Sequence, residues 1–286
     1  MKFILFNLTF SDNKLLETEV DNMLKEVAYS AKRKDKTTKM CEYDYILFPI
    51  SEYPISESDD VIGFMKSHCG NVNDSNEIEY DLLLAYQTLY YMFYSFNYVK
   101  FTFDIIRVVN DNELSLYYSD GSSSPKTTDC GYATLILTDA MLKEDVDAEC
   151  PHSKYYEILT EKYYSIIQQS GKVSNGTNNI GELTGVKVAV ESMNKIEGTT
   201  DKTFQVIVSD SEYALKSYRE WIHNWKKNGY KASNKKPIAN KDIILETQSM
   251  IENSGKIYLF KWVKGHSNLE LNDICDLLAK SEIGII

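Results

Sequence analysis

The sequence predicts an α/β protein in two parts: a small α/β domain over residues 1–110, then a mixed sheet with helices on both sides over residues 111–286. Three observations lead there. Short apolar runs rich in β-branched and aromatic residues alternate with stretches of helical spacing along the chain. The most turn-like junction, Asn110-Asp111-Asn112, falls between two complete α/β patterns. No internal repeat or long linker interrupts either part, and 286 residues give each enough chain to bury a core.

In the first part, residues 3–10 read as a strand, and residues 15–31 as a helix with Leu15, Leu16, Val20, Leu24, Val27 and Ala28 on its apolar face. The basic run 32–39 is expected as the solvated end of that helix. Residues 43–50 form a second strand ended by Pro49 and Pro54, followed by a short helix over 59–67. Residues 78–98 are apolar on nearly every side and read as a long buried helix. Their tyrosines, among them Tyr80, Tyr86, Tyr90 and Tyr94, are expected in a core or a protein interface rather than as a stacking platform for single strands. A strand over 101–109 completes the part.

The second part begins with strands at 113–119, 132–138 and near 163–169. An acidic stretch with Pro151, residues 139–160, separates the second from the third and reads as a solvated loop. A helix over 181–195, a strand over 203–208, helices over 211–228, a strand over 257–263 and a last helix over 271–281 follow.

Composition narrows the chemistry. Hydrophobic residues make up 43% and charged residues 26%, which is ordinary globular usage. No apolar run approaches the ~20 residues of a membrane span, and residues 1–10 are too short and too soon followed by acids for a secretory signal. The five cysteines are odd in number and unpaired in spacing, against a disulfide framework or zinc site, so a reducing, cytoplasmic setting is expected. The net charge of −11 is spread over both parts: 11 basic against 17 acidic side chains in residues 1–110, and 20 against 25 in residues 111–286. Only residues 219–241 reverse the sign, with Arg219, Lys226, Lys227, Lys231, Lys235, Lys236 and Lys241 facing one acid, Glu220.

Four acids stand out by position. Asp120 ends a strand in Tyr118-Ser119-Asp120-Gly121-Ser122, Glu182 begins a helix after Asn178-Asn179, Asp210 ends a strand in Val208-Ser209-Asp210-Ser211, and Asp276 lies ten residues after His266 of Val263-Lys264-Gly265-His266. Taken alone, each reads as a solvated cap or turn residue. Brought together by a fold, they are what divalent cations need to hold a phosphodiester for attack by water.

Residues 113–283 resemble type 1 ribonuclease H, in particular the long-handled bacterial form. The resemblance rests on an ordered set: the Asp120 turn, Asn178-Asn179 before Glu182, the Ser209-Asp210-Ser211 turn, Trp221-Ile222-His223-Asn224-Trp225-Lys226-Lys227, Phe260-Lys261-Trp262-Val263-Lys264-Gly265-His266, and Asn272-Asp273-Ile274-Cys275-Asp276. It implies a ribonuclease H-like mixed five-stranded sheet with flanking helices, an insertion at about 139–160 and a basic handle at about 219–241. It further implies a metal-dependent endonuclease that cuts the RNA strand of RNA/DNA hybrids in primer or R-loop removal. Asp120 would bridge two Mg²⁺ ions, with Mn²⁺ as an alternative, while Glu182 and Asp210 bind one each and Asp276 completes the second site. His266 would move protons or help product leave.

For the substrate, the resemblance implies that Asn178 and Asn179 address minor-groove sugar and base edges and that Thr177 holds a DNA-strand phosphate. Trp221 and Trp225 would rest on deoxyribose beside Lys226, Lys227, Lys235 and Lys236 on phosphates. The same tryptophans, four residues apart, also suit packing between the handle helices, and Trp262 is expected in the core. Two departures stand out: Glu212 replaces an amide side chain beside the 2′-hydroxyl, and residues 122–127 replace a glycine-rich loop. The rival readings are a non-catalytic hybrid-binding or replication scaffold protein, which the four intact acids oppose, and a DNA-directed nuclease of the same superfamily. For residues 1–110 the expected role is contact with a protein partner.

Overall fold

A computed structural model describes residues 2–11, 14–35, 40–50, 88–89, 101–110, 113–126, 128–137, 166–193, 195, 203–266 and 270–286. The chain divides into two compact units, Met1–Asp111 and Asn112–Ile286.

In the first unit, β1 (Lys2–Ser11), α1 (Lys14–Val27), β2 (Tyr29–Asp35), β3 (Met40–Pro49) and β4 (Phe101–Asn110) are described. The strands run in the order β4-β1-β3-β2, each antiparallel to its neighbour. Phe3, Ile4, Leu5 and Phe6 are buried in succession. Because side chains alternate across a strand, both faces of β1 are therefore covered. Val20 and Leu24 of α1 are buried one turn apart, and the Tyr43 hydroxyl donates to Asp21 of the same helix.

The helix expected over 15–31 is corrected here. It stops at Val27, and the basic run, expected as a helix end, is strand instead: Lys32, Arg33 and Lys34 of β2 pair with Tyr43, Glu42 and Cys41 of β3. Helical spacing carried the expectation past Val27 through Ala28, and the ladder with β3 supplied the backbone partners that decided the outcome. The expected helix over 59–67 lies outside the described residues. So does the one over 78–98, apart from Thr88 and Leu89, which are helical and buried.

The second unit contains β5 (Leu114–Ser123), β6 (Cys130–Leu137), β7 (Ile166–Val173), α2 (Asn178–Met193), β8 (Phe204–Ser209), α3 (Glu212–Lys216), a π-helical turn (Ser217–Trp221), α4 (Ile222–Lys227), α5 (Lys241–Asn253), β9 (Ile257–Trp262) and α6 (Glu270–Glu282). Its five-stranded mixed sheet has the order β9-β8-β5-β6-β7, parallel across β9, β8 and β5 and antiparallel across β5, β6 and β7. Every residue of β8 is buried, as a central parallel strand covered on both faces requires. The insertion expected at 139–160 lies outside the described residues.

Glycines set how closely the helices approach. A Cβ at Gly121 would meet the backbone nitrogen of Glu182 on α2 at 2.1 Å, and a Cβ at Gly131 would meet the carbonyl oxygen of Ala279 on α6 at 1.9 Å. Gly131 is the cross-strand partner of Ser122, the residue after Gly121, so the two glycines face opposite sides of the sheet. Helices α2 and α6 therefore pack on opposite faces. Under α2, Tyr117, Ile136, Leu183, Val186, Val190, Ile207 and Phe260 belong to one buried cluster that extends through Leu215, Tyr218 and Ile222 to Ile244.

Candidate metal centre

Asp120 lies within β5 rather than at its end, as the sequence reading had it, because the antiparallel ladder with β6 carries the strand on to Ser123. The parallel ladder with β8 stops earlier, at Tyr118 and Val208. Asp120 thus sits on the central strand just beyond the point where β5 loses its parallel partner, and Asp210 directly follows the last residue of β8. Such a divergence at the carboxyl ends of parallel strands opens the crevice in which α/β sheets place ligands. Glu182 is likewise not the first residue of its helix: α2 begins at Asn178, with the Thr177 hydroxyl accepting from the Ile180 amide at 3.4 Å. This puts Glu182 on the second turn, over Gly121.

Asp120, Glu182 and Asp210 each offer a carboxylate oxygen within 4.8 Å of the others. Asp120 Oδ1 accepts from the Gly121 amide at 2.7 Å, and Glu182 Oε1 accepts from Asn178 Nδ2 at 3.3 Å. Glu182 Oε2 is buried with no hydrogen-bond partner. Burial, and then the negative charge of Asp210, pushes the Asp120 carboxyl up to about 8. Burial followed by Asp120 and Asp210 holds Glu182 well above the ordinary carboxylate range. Asp210 is raised as well, chiefly by burial and against a hydrogen bond from the Asn272 side chain. Three mutually repelling carboxylates and a buried oxygen without a partner leave a deficit of positive charge that a hard divalent cation fits.

The fourth acid lies outside this group of three, although its negative charge helps to raise Asp120 and Asp210. Asp276 Oδ2 pairs with Lys280 Nζ, one turn on along α6, at 2.5 Å, and lies 3.9 Å from His266 Nδ1. His266 is 77% exposed and has a positive φ of 53°. Sequence reasoning missed Lys280, although a lysine four residues after an acid on a helix signals an ion pair. It also missed Asn272, a polar residue 1% exposed on the inner face of α6, and Cys275, whose thiol donates to the Tyr118 carbonyl at 3.3 Å and is pushed up by burial. Trp262, expected as core, is half-buried and donates its indole N–H to the Asp210 carbonyl at 2.8 Å.

The residues expected to meet substrate divide between exposed and packed. Thr177, Asn178 and Asn179 are exposed at the start of α2, with Asn178 bonded to Glu182. Trp221 stacks at a tilt on Trp225, ring centroids 5.6 Å apart, and meets Tyr213 edge-on at 6.0 Å, while Trp225 packs against the buried cluster. Lys235 and Lys236 are exposed on a tight hairpin closed by the Ala232 amide on the Lys236 carbonyl at 2.8 Å. Lys227 is exposed on α4, and Lys226 is paired with Glu252 at 2.9 Å. Glu212 pairs with Lys216 at 2.7 Å. Ser122 and Ser123 of the altered loop belong to β5.

The sequence profile of the RNase H family matches residues 112–284. A ribonuclease H from Treponema pallidum subsp. pallidum is 36% identical over 111 residues, 39% of this chain and 62% of that protein. One from Dechloromonas aromatica is 39% identical over 109 residues, 37% of this chain and 67% of that protein. The chain thus spans about two thirds or less of these curated relatives. Among solved structures, a foamy viral protease-reverse transcriptase in complex with RNA/DNA hybrid aligns over 63% of this chain and 21% of that one, at 18% identity and a TM-score of 0.44. With its sequence profile matched over residues 112–284, the chain belongs to the RNase H family.

Proposed function

We propose that this protein hydrolyses the RNA strand of RNA/DNA hybrids with divalent cations, two Mg²⁺ ions held by Asp120, Glu182, Asp210 and Asp276. The observation that carries the reading is the convergence of three mutually repelling carboxylates, Asp120 and Glu182 buried and Asp210 half-buried, in a member of the RNase H family. When bound, the cations supply charge that stabilises the scissile phosphate and lowers the pKa of the attacking water. Asp120, anchored by the Gly121 amide, keeps its carboxylate within 4.8 Å of the other two. Asn178 orients Glu182 and leaves its second oxygen for a cation. His266, exposed beside Asp276, accepts or returns a proton as the bond breaks. Thr177, Asn178, Asn179, Trp221, Trp225, Lys226, Lys227, Lys235 and Lys236 hold the duplex, the lysines by neutralising phosphates. Residues 1–110 form a recruitment domain for a protein partner, a reading favoured by their acidic balance and by an acid cluster drawn, among the described residues, from residues 112–286 alone. Replacing Asp120 or Asp210 with Asn tests the core of the proposal: cleavage is lost while hybrid binding stays measurable, and a chelator has the same effect on the unaltered protein. Wild-type cleavage by Asp120→Asn in Mg²⁺ overturns it.

A further inference from the structure

The segment that carries His266 meets Asp210 at two places, its backbone carbonyl and its side chain. Register places Trp262 of β9 opposite Ser209 of β8, and the Val263 amide donates to the Ser209 carbonyl at 3.0 Å. This brings the Trp262 indole onto the next carbonyl, that of Asp210, at 2.8 Å. Three residues on, the chain passes directly over the Asp210 side chain. A Cβ at Gly265 would lie 2.3 Å from Asp210 Oδ2 and 3.3 Å from its Cγ, and no other atoms are as near. The conflict is thus with the far end of a side chain rather than with backbone, so added bulk at 265 is relieved by turning the carboxylate.

We propose that Gly265 and Trp262 are positioning residues that aim the Asp210 carboxylate at Asp120 and Glu182. The indole fixes the backbone from which the carboxylate hangs, and the absent Cβ leaves the one orientation in which Oδ2 lies against the loop. Asn272 of α6 is hydrogen-bonded to the same carboxylate. Partners that orient a ligand-bearing side chain change metal affinity and turnover by about 10- to 100-fold when removed. The inference rests on the reading that Asp210 holds a cation.

The test uses the full chain with Gly265→Ala, Trp262→Phe and, as reference, Asp210→Asn. For each, thermal melting of the metal-free protein, Mn²⁺ affinity by calorimetry, and kcat and KM on an RNA/DNA hybrid are measured. The expected result for Gly265→Ala is unchanged melting, Mn²⁺ affinity and kcat each reduced about tenfold, and an unchanged KM. Trp262→Phe, which keeps a ring but loses the donor, moves affinity and kcat the same way and decides the matter if Gly265→Ala melts low. Wild-type Mn²⁺ affinity in both variants overturns the inference, as does a loss that follows lowered melting in both. Wild-type Mn²⁺ binding and cleavage by Asp210→Asn instead overturns the reading of Asp210 itself, whatever the loop variants do.

Discussion

Gly121 and Glu182 meet backbone to backbone, with 2.1 Å between the place a Cβ would occupy on β5 and the amide nitrogen on α2. No rotamer change relieves such a conflict, so Gly121→Ala must push α2 away from the sheet. The expected cost is about 2–3 kcal/mol of stability, read by denaturant unfolding, with loss of cleavage as Glu182 leaves Asp120.

The metal-free protein is expected to weaken as pH rises. Unfolded, Asp120 releases its proton near 3.8; folded, it keeps it until about 8. The stability it contributes is full below the lower value and is lost as pH climbs through the higher one. Glu182 and Asp210, both raised, act in the same direction. Melting temperatures of chelator-treated protein should fall from pH 5 to pH 8. Asp120→Asn should flatten that fall and stabilise the metal-free fold at pH 8 by on the order of 2 kcal/mol, the opposite of its effect on cleavage. A wild-type profile flat over this range contradicts the account.

Joint replacement of Lys226, Lys227, Lys235 and Lys236 by Ala is expected to raise KM several-fold and flatten its salt dependence, with kcat little changed. Lys226, already neutralised by Glu252, should contribute least when replaced alone. Cleavage kinetics across a salt series check both points; an unchanged salt slope places the duplex elsewhere.

A chain beginning at Asn110 should remain folded and cut hybrids, because the acid cluster and the buried residues around it lie within residues 112–286. Circular dichroism and a cleavage assay decide this. A folded but inactive fragment gives residues 1–110 a part in catalysis or substrate binding.

Much of this architecture was legible in the sequence because local signals agreed with the fold. The apolar runs around Val206 and Leu259 are buried strands, and the mixed five-stranded sheet follows the expected class. Legibility failed where backbone pairing decided the outcome. Tyr29–Asp35 looks like the tail of a helix until β3 offers it a ladder, and Asp120 looks like a strand terminus until β6 extends the strand past it. At the site, the acids were readable as residue types in order, but their spacing was not. The lysine four residues after Asp276 signals their ion pair, but nothing in the sequence says that the other three carboxylates crowd together without Asp276. The Trp262 indole reaching Asp210 depends on strand register, which a single strand's pattern does not contain.

Cleavage of matched end-labelled RNA/DNA, RNA/RNA and DNA/DNA duplexes in Mg²⁺, with Asp120→Asn alongside, tests the central claim most directly. The account predicts cutting of the RNA strand in the hybrid alone, with 3′-hydroxyl and 5′-phosphate ends and none by Asp120→Asn. Cleavage of DNA/DNA in preference to the hybrid, or equal hybrid cleavage by Asp120→Asn, would contradict it.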